Sequence, residues 1–126
     1  MKVLIISTTE RTGGGAIAAK RLLTALNKNG IKTRMLVRDK QTDDVNVAAY
    51  GNKLPKVMER LRLMCKLQKP FRQTWQYDLA SDGVDILSTL EYKEADAIHL
   101  HWVNQGMLSL KQLKQMILSG KRVIWT

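Results

Sequence analysis

The chain opens on an unbroken apolar run, Val3 to Ile6, made of β-branched and leucine side chains. Such a run predicts a strand buried on both faces, as in a parallel sheet. A polar loop, Thr8 to Thr12, and the triplet Gly13-Gly14-Gly15 come next. Ala19, Leu22, Leu23 and Leu26 then recur at helical spacing and share one face. Gly30 is placed to stop that helix, and Thr33 to Val37 reads as a second strand, completing a strand-helix-strand unit. Asp39 to Asp44 reads as a polar turn and Val45 to Ala49 as a short strand. Asn52 can cap a helix that tolerates Pro55 in its first turn. Leu54, Val57, Met58, Leu61, Met64 and Cys65 recur along it, and Pro70 ends it. Phe71 to Tyr92 has weak periodicity and reads mostly as loop. Ala97 to Trp102 is a strong strand pattern. Ser109 and Gln112 form a capping box, and Leu108 with Leu113 can staple it. Leu110, Leu113 and Ile117 are the expected inner face of that helix, Gly120 its stop, and Val123 to Trp125 the next strand. The predicted fold class is α/β, a Rossmann-like parallel sheet with helices on both faces.

A chain of 126 residues is one domain's worth and can bury one core. The single cysteine, Cys65, allows no intramolecular disulfide and fits a reducing compartment. The apolar run after Lys2 is too short for a signal-peptide core, and no stretch approaches the length of a membrane span. The expected location is the cytoplasm. The last residues lie inside an apolar strand, which suggests that 1–126 is part of a larger domain. An uncovered strand edge there would invite pairing with a second copy.

The net charge of +10 changes the picture because it is unevenly placed. Lys53 to Arg72 holds seven basic residues and one acid, Glu59, whereas Gln73 to Ile98 holds six acids and one lysine, Lys93. A basic surface attracts phosphate, whether on nucleic acid, anionic lipid or a substrate. Within the basic helix, Lys56 and Arg60 share the expected outer face with Leu63 and Leu67. That face reads as solvated with the two leucines covered by a neighbouring element, or as a contact with an anionic membrane or an acceptor. A nucleic-acid-binding module is a weaker alternative, since Trp and Tyr are scattered rather than arrayed for stacking.

Two places carry candidate chemistry. Gly13, Gly14 and Gly15 lie between a strand and a helix, where ligands of open α/β sheets bind and where backbone N–H groups can approach phosphate or sugar oxygens. The Walker pattern fails because Ala16-Ile17 follows Gly15. The dinucleotide pattern is matched by Gly13, Gly15 and Ala18, with Asp39 at about the expected distance, although polar residues separate the glycines from the strand. A dinucleotide-binding domain therefore stands as an alternative. The second place is the His99/His101 pair, which strand alternation puts on one face. His101 lies nearer the ligand-binding end, and His99 reads as a buried core histidine. The pair lacks a third metal ligand, so no metal is expected.

Four segments together resemble the N-terminal domain of the family 4, GT-B retaining glycosyltransferases, and most nearly those of bacterial capsule and exopolysaccharide synthesis. They are Lys2 to Ser7, Thr12 to Ala16, the strand Ala95-Asp96-Ala97-Ile98-His99-Leu100-His101-Trp102, and Lys121 to Thr126. The resemblance covers most of the chain, with Tyr50 to Glu91 matching only loosely. It implies the incomplete, acceptor-side half of a two-domain enzyme whose C-terminal domain grips a nucleoside-diphosphate sugar. It implies no tightly bound cofactor and no metal. Gly14 and Gly15 would lie near the donor phosphates and His101 near the transferred sugar. The acceptor would be a glycan or lipid-linked, reached from the inner face of the membrane. The fragment alone is expected to be inactive.

Overall fold

In the computed structural model, residues 1–51, 54–68, 70 and 78–126 are described. Asn52, Lys53, Lys69 and Phe71 to Tyr77 fall outside them, and with them lie the expected Asn52 cap and the first part of the expected loop.

The chain is an α/β, Rossmann-like fold built on one five-stranded sheet. Its strands are β1 (Lys2–Thr9), β2 (Lys32–Asp39), β3 (Val47–Ala49), β4 (Ala97–Leu100) and β5 (Arg122–Trp125), in the spatial order β3-β2-β1-β4-β5. Every pairing is parallel. The order therefore reverses at β1, which places a topological switch point between β1 and β4.

Helices lie on both faces. One face carries α1 (Gly14–Lys28), whose Ala19 and Leu23 pack on Ile5, Met35 and Val37. The other carries a short helical turn, Ile86–Ser88, with α3 (Leu90–Glu94) and α4 (Leu110–Leu118). There Ile86, Tyr92, Met107 and Met116 pack on Leu4, Leu36, Ile98 and Leu100. The helix α1 ends as expected at Gly30, which takes φ +78°. The Gly30 N–H donates to the Asn27 carbonyl and the Ile31 N–H to that of Leu26, the paired bonds of a Schellman stop.

Several expected details are corrected. The loop predicted over Phe71 to Tyr92 contains, in its described part, the turn at Ile86–Ser88 and the start of α3, elements too short to show periodicity. The α4 capping box forms, with Ser109 Oγ accepting from Gln112 N and Gln112 Oε1 accepting from Ser109 N. Gln112 Nε2 also donates to the Val84 carbonyl at 2.6 Å, which fixes the helix rotation. That rotation turns Met116 and Leu113 inward, so Leu110 and Ile117, expected inside, are exposed.

The largest correction is at the helix α2 (Leu54–Leu67), where Leu63 is covered as expected but the apolar row expected inside is exposed and Arg60 lies within. Leu63 is buried at 2% exposure and Arg60 at 3%, whereas Leu54, Val57, Met58 and Leu61 are exposed. Arg60 therefore lies inside, away from any lipid surface, and Lys56 is half-buried. Two side chains of α2, the buried Glu59 and the exposed Arg62, meet the following segment, while Glu59 Oε2 stays without a partner. Glu59 Oε1 accepts from the Leu79 N–H, and Arg62 pairs with Asp82 at 2.6 Å.

Candidate functional site

The carboxyl ends of β1, β2 and β4 converge on one edge of the sheet, and the glycine loop crosses it. Each glycine has a different account. Gly13 is the α1 N-cap and takes φ +90°, a conformation that disfavours any side chain. At Gly15 a Cβ would lie 3.3 Å from the Trp102 Cβ, so close packing of α1 on the end of β4 favours glycine there. Gly14 has neither constraint: its φ is not positive and a Cβ would meet nothing within 4 Å. The first turn of α1 holds no acidic side chain and the cap makes no side-chain hydrogen bond. Its first N–H groups and the positive end of the helix dipole therefore have no capping side chain.

Beneath this loop lie two unpaired buried groups. His101 is 6% exposed, and its N–H donates to the Ile6 carbonyl at 3.0 Å. Carrying the parallel register of Ile6 with Leu100 one residue further sets Ser7 beside His101. Both side chains project toward the α1 face, as do their in-register neighbours Ile5 and His99. Ser7 Oγ and His101 Nε2 are each buried without a hydrogen-bond partner. The two histidine rings lie 4.5 Å apart between centroids and are tilted by 34°. Burial holds both imidazoles below their usual range, and the charge of His99 adds to this at His101. His101 is thus neutral at pH 7, with one ring nitrogen free to serve a ligand.

His99, expected as a buried core histidine, is the less buried of the two. It is half-exposed and hydrogen-bonded to the Thr126 hydroxyl. Among the described residues no group of His, Cys, Asp and Glu side chains converges in a way that could hold a metal ion.

A second group at this edge was not visible in the sequence. Glu10 is fully buried, and its carboxylate accepts from the Gln41 and Thr42 N–H groups at 2.8 and 2.9 Å. It also binds the Thr42 hydroxyl and the Lys20 ammonium, which bridges to Asp44 at 2.6 Å. Burial pushes this carboxyl up, but the hydrogen bonds from Thr42, Lys20 and Gln41 outweigh it and hold it at about 2. The cluster ties the loop after β1 to the loop after β2. Its role is to fix the rim.

Arg38, near the end of β2, was also missed. It lines a cavity of about 710 Å³ together with Thr12, Lys40, Lys56 and Gln105. Of the predicted basic contacts, Lys56 therefore reaches the carboxyl edge and Arg60 does not. The Arg38 side chain lies on the opposite sheet face from His101, because it shares the face of Leu36 in the α3/α4 core, while Thr9 and Asp39 line the cavity from the strand ends. Another depression, of about 430 Å³, opens at the amino ends of the strands between Lys2, Arg34 and Glu91, away from the ligand-binding edge.

No helix among the described residues is long and apolar enough to cross a membrane. No protein-family model, curated protein or solved structure matches this chain.

Proposed function

We propose that this chain is the acceptor-side half of a retaining sugar-nucleotide glycosyltransferase, working at the cytoplasmic face of a membrane in polysaccharide synthesis. The observation that carries the reading is the pair of unpartnered buried groups, Ser7 Oγ and His101 Nε2, beneath a glycine whose missing side chain the fold itself does not require. A sugar hydroxyl has the chemistry to match either: it can donate to a neutral imidazole nitrogen or accept from a serine hydroxyl. The N–H groups at the start of α1 face the charge that develops on a departing diphosphate. His101 would orient the sugar ring rather than exchange its proton. The main grip on the nucleotide belongs to a further domain.

The test is a titration of the isotopically labelled chain with uridine, guanosine and adenosine diphosphate sugars, read by NMR. A nucleoside-diphosphate sugar is expected to move the Gly14, Gly15 and His101 resonances. His101→Ala should weaken the response to the sugar nucleotide more than to the nucleoside diphosphate alone. Equal weakening of both, or no response from the glycine loop, overturns the assignment.

One observation favours a second reading. Asp39 is the final residue of β2, where a dinucleotide-binding domain places an acid for the ribose. Here, however, Asp39 Oδ2 accepts from Arg38 Nη2 at 3.1 Å. Micromolar binding of NAD with movement of Asp39 would select this reading over sugar transfer.

A further inference from the structure

Trp102 follows His101 directly and is 53% exposed, although both of its chain neighbours, His101 and Val103, are buried. Its backbone is held firmly. The Trp102 carbonyl accepts from the Thr8 N–H at 2.6 Å and from the Thr8 hydroxyl at 2.9 Å. The same hydroxyl reaches the Asn104 carbonyl at 2.8 Å. Thr8, the residue after Ser7, is itself buried. The ends of β1 and β4 are therefore clamped together at the residues that follow the two unpartnered atoms, Ser7 Oγ and His101 Nε2.

A bend decides where the side chain starts. Strict alternation from Leu100 and His101 would send Trp102 to the α3/α4 face of the sheet. The chain bends at Trp102 instead, and its Cβ lies 3.3 Å from the place a Gly15 Cβ would occupy. The side chain thus leaves the backbone against the first turn of α1. One residue earlier, Gly14 leaves space, since a Cβ there would meet nothing within 4 Å. Among the described residues no ring or cation packs on the indole, and nothing accepts from its N–H. Trp125 is exposed for a different reason. It sits on the edge strand β5 in register with Leu100, and so on the opposite sheet face from His101.

We propose that Trp102 is the stacking platform of the His101 site, its indole packing on the C–H face of the pyranose ring whose hydroxyl His101 holds. The assignment rests on the sugar-transfer role proposed for this edge. A pyranose is amphipathic: its hydroxyls project around the rim, and axial C–H bonds cover its faces. Those hydrogens carry slight positive charge and suit the negative π face of an indole. A site that offers unpaired polar atoms on one residue and a rigidly mounted aromatic on the next matches both parts of such a ring. The hydrogen bond selects a hydroxyl, and the stacked face sets the tilt of the ring. A nucleobase also stacks on indole but lacks the hydroxyl rim, and the test separates the two.

The full chain is titrated with uridine diphosphate glucose and galactose, guanosine diphosphate mannose and adenosine diphosphate glucose, and with each nucleoside diphosphate alone. The sugar ring protons and the indole N–H of Trp102 are followed by NMR. In the wild type, C–H protons on one sugar face are expected to move upfield in the ring current. Trp102→Leu should abolish that movement and weaken the sugar nucleotide about tenfold, with the nucleoside diphosphate unaffected. Trp102→Phe should keep most of both, and Trp125→Leu should change neither. The clamp on Thr8 uses the Trp102 carbonyl, so these variants retain it. Unchanged sugar-nucleotide binding by Trp102→Leu overturns the stacking role and leaves the His101 site standing. Equal weakening of the nucleoside diphosphate overturns it in favour of a stacked base. No response of the wild type to any of the four sugar nucleotides overturns the sugar-transfer reading and this role together.

Discussion

Replacing Glu10 with glutamine tests whether the buried cluster at the carboxyl edge is held by charge. The carboxyl is shifted from an ordinary 4.5 to about 2, and its side chain is fully buried. Each pKa unit is worth about 1.4 kcal/mol, so the ionised form contributes roughly 3 kcal/mol at pH 7. The folded-state value is the depressed one. This stability is therefore present above the unfolded value of 4.5 and drains away as pH falls through about 2. Glu10→Gln retains an acceptor for the Gln41 and Thr42 N–H groups but leaves Lys20 with Asp44 as its one remaining acid. Urea unfolding followed by tryptophan fluorescence measures the result. The wild-type advantage is expected near 3 kcal/mol at pH 7 and should narrow by roughly that amount by pH 2. A difference that stays constant from pH 7 to pH 2 would refute the electrostatic account and leave only lost packing. The same variant should loosen the Gln41–Thr42 rim, visible as faster amide exchange there.

Three further outcomes follow from the geometry. Leu63→Ala should cost about 2–5 kcal/mol and Leu61→Ala less than about 0.5, because the first is 2% exposed and the second 49%; the reverse ranking in denaturant titrations would restore the orientation expected from sequence. His101 should titrate below 6.5 by NMR, so that the folded chain loses stability as pH falls below that value; a midpoint at or above 6.5 would mean that the ring is not desolvated. Gly106→Ala forces a side chain onto φ +77° and against the α2 backbone, and should cost upward of about 1 kcal/mol, whereas Gly14→Ala should be neutral or slightly stabilising; equal melting temperatures for the two would contradict the close approach at Gly106.

The sheet was legible because its signals are local. The run Val3–Ile6 is apolar on both faces, Ala97–Leu100 is apolar except for His99, and Gly30 and the Ser109–Gln112 box mark helix ends by backbone chemistry that needs no tertiary context. The α2 orientation was not legible. Leu63 and Leu67 on one side and Leu54, Val57, Met58 and Leu61 on the other give the helix apolar residues on both flanks. Periodicity cannot choose between two such faces; the choice depends on Leu79 and Asp82, which bond to Glu59 and Arg62 from a segment with no sequence pattern. Glu10 was equally hidden, since a carboxylate in a polar loop reads as solvated until the β2 loop closes over it. For Arg38 a signal did exist. A charged residue in the last turn of a strand that is otherwise buried is either exposed at the edge or matched within a site, and β2 extends past Val37 to include it.

What separates structural from functional residues at the carboxyl edge is whether the fold alone accounts for them. Gly13 is explained by its backbone conformation and Gly15 by the approach of Trp102, so neither requires a ligand. Glu10 and Lys20 satisfy one another and their neighbours, and so do the paired donors and acceptors of the capping box. The residues left over are Gly14, with open space above it, Ser7 and His101, with unpaired buried atoms, and Arg38, with an unspent donor. Unpaired buried polar atoms are rare because each costs on the order of 1–3 kcal/mol. Of the four such atoms among the described residues, three lie at one end of a parallel sheet, the end where such sheets bind ligands, with Glu59 Oε2 of α2 the fourth; that clustering is better explained by groups that arrive from outside the chain than by three independent defects in its packing.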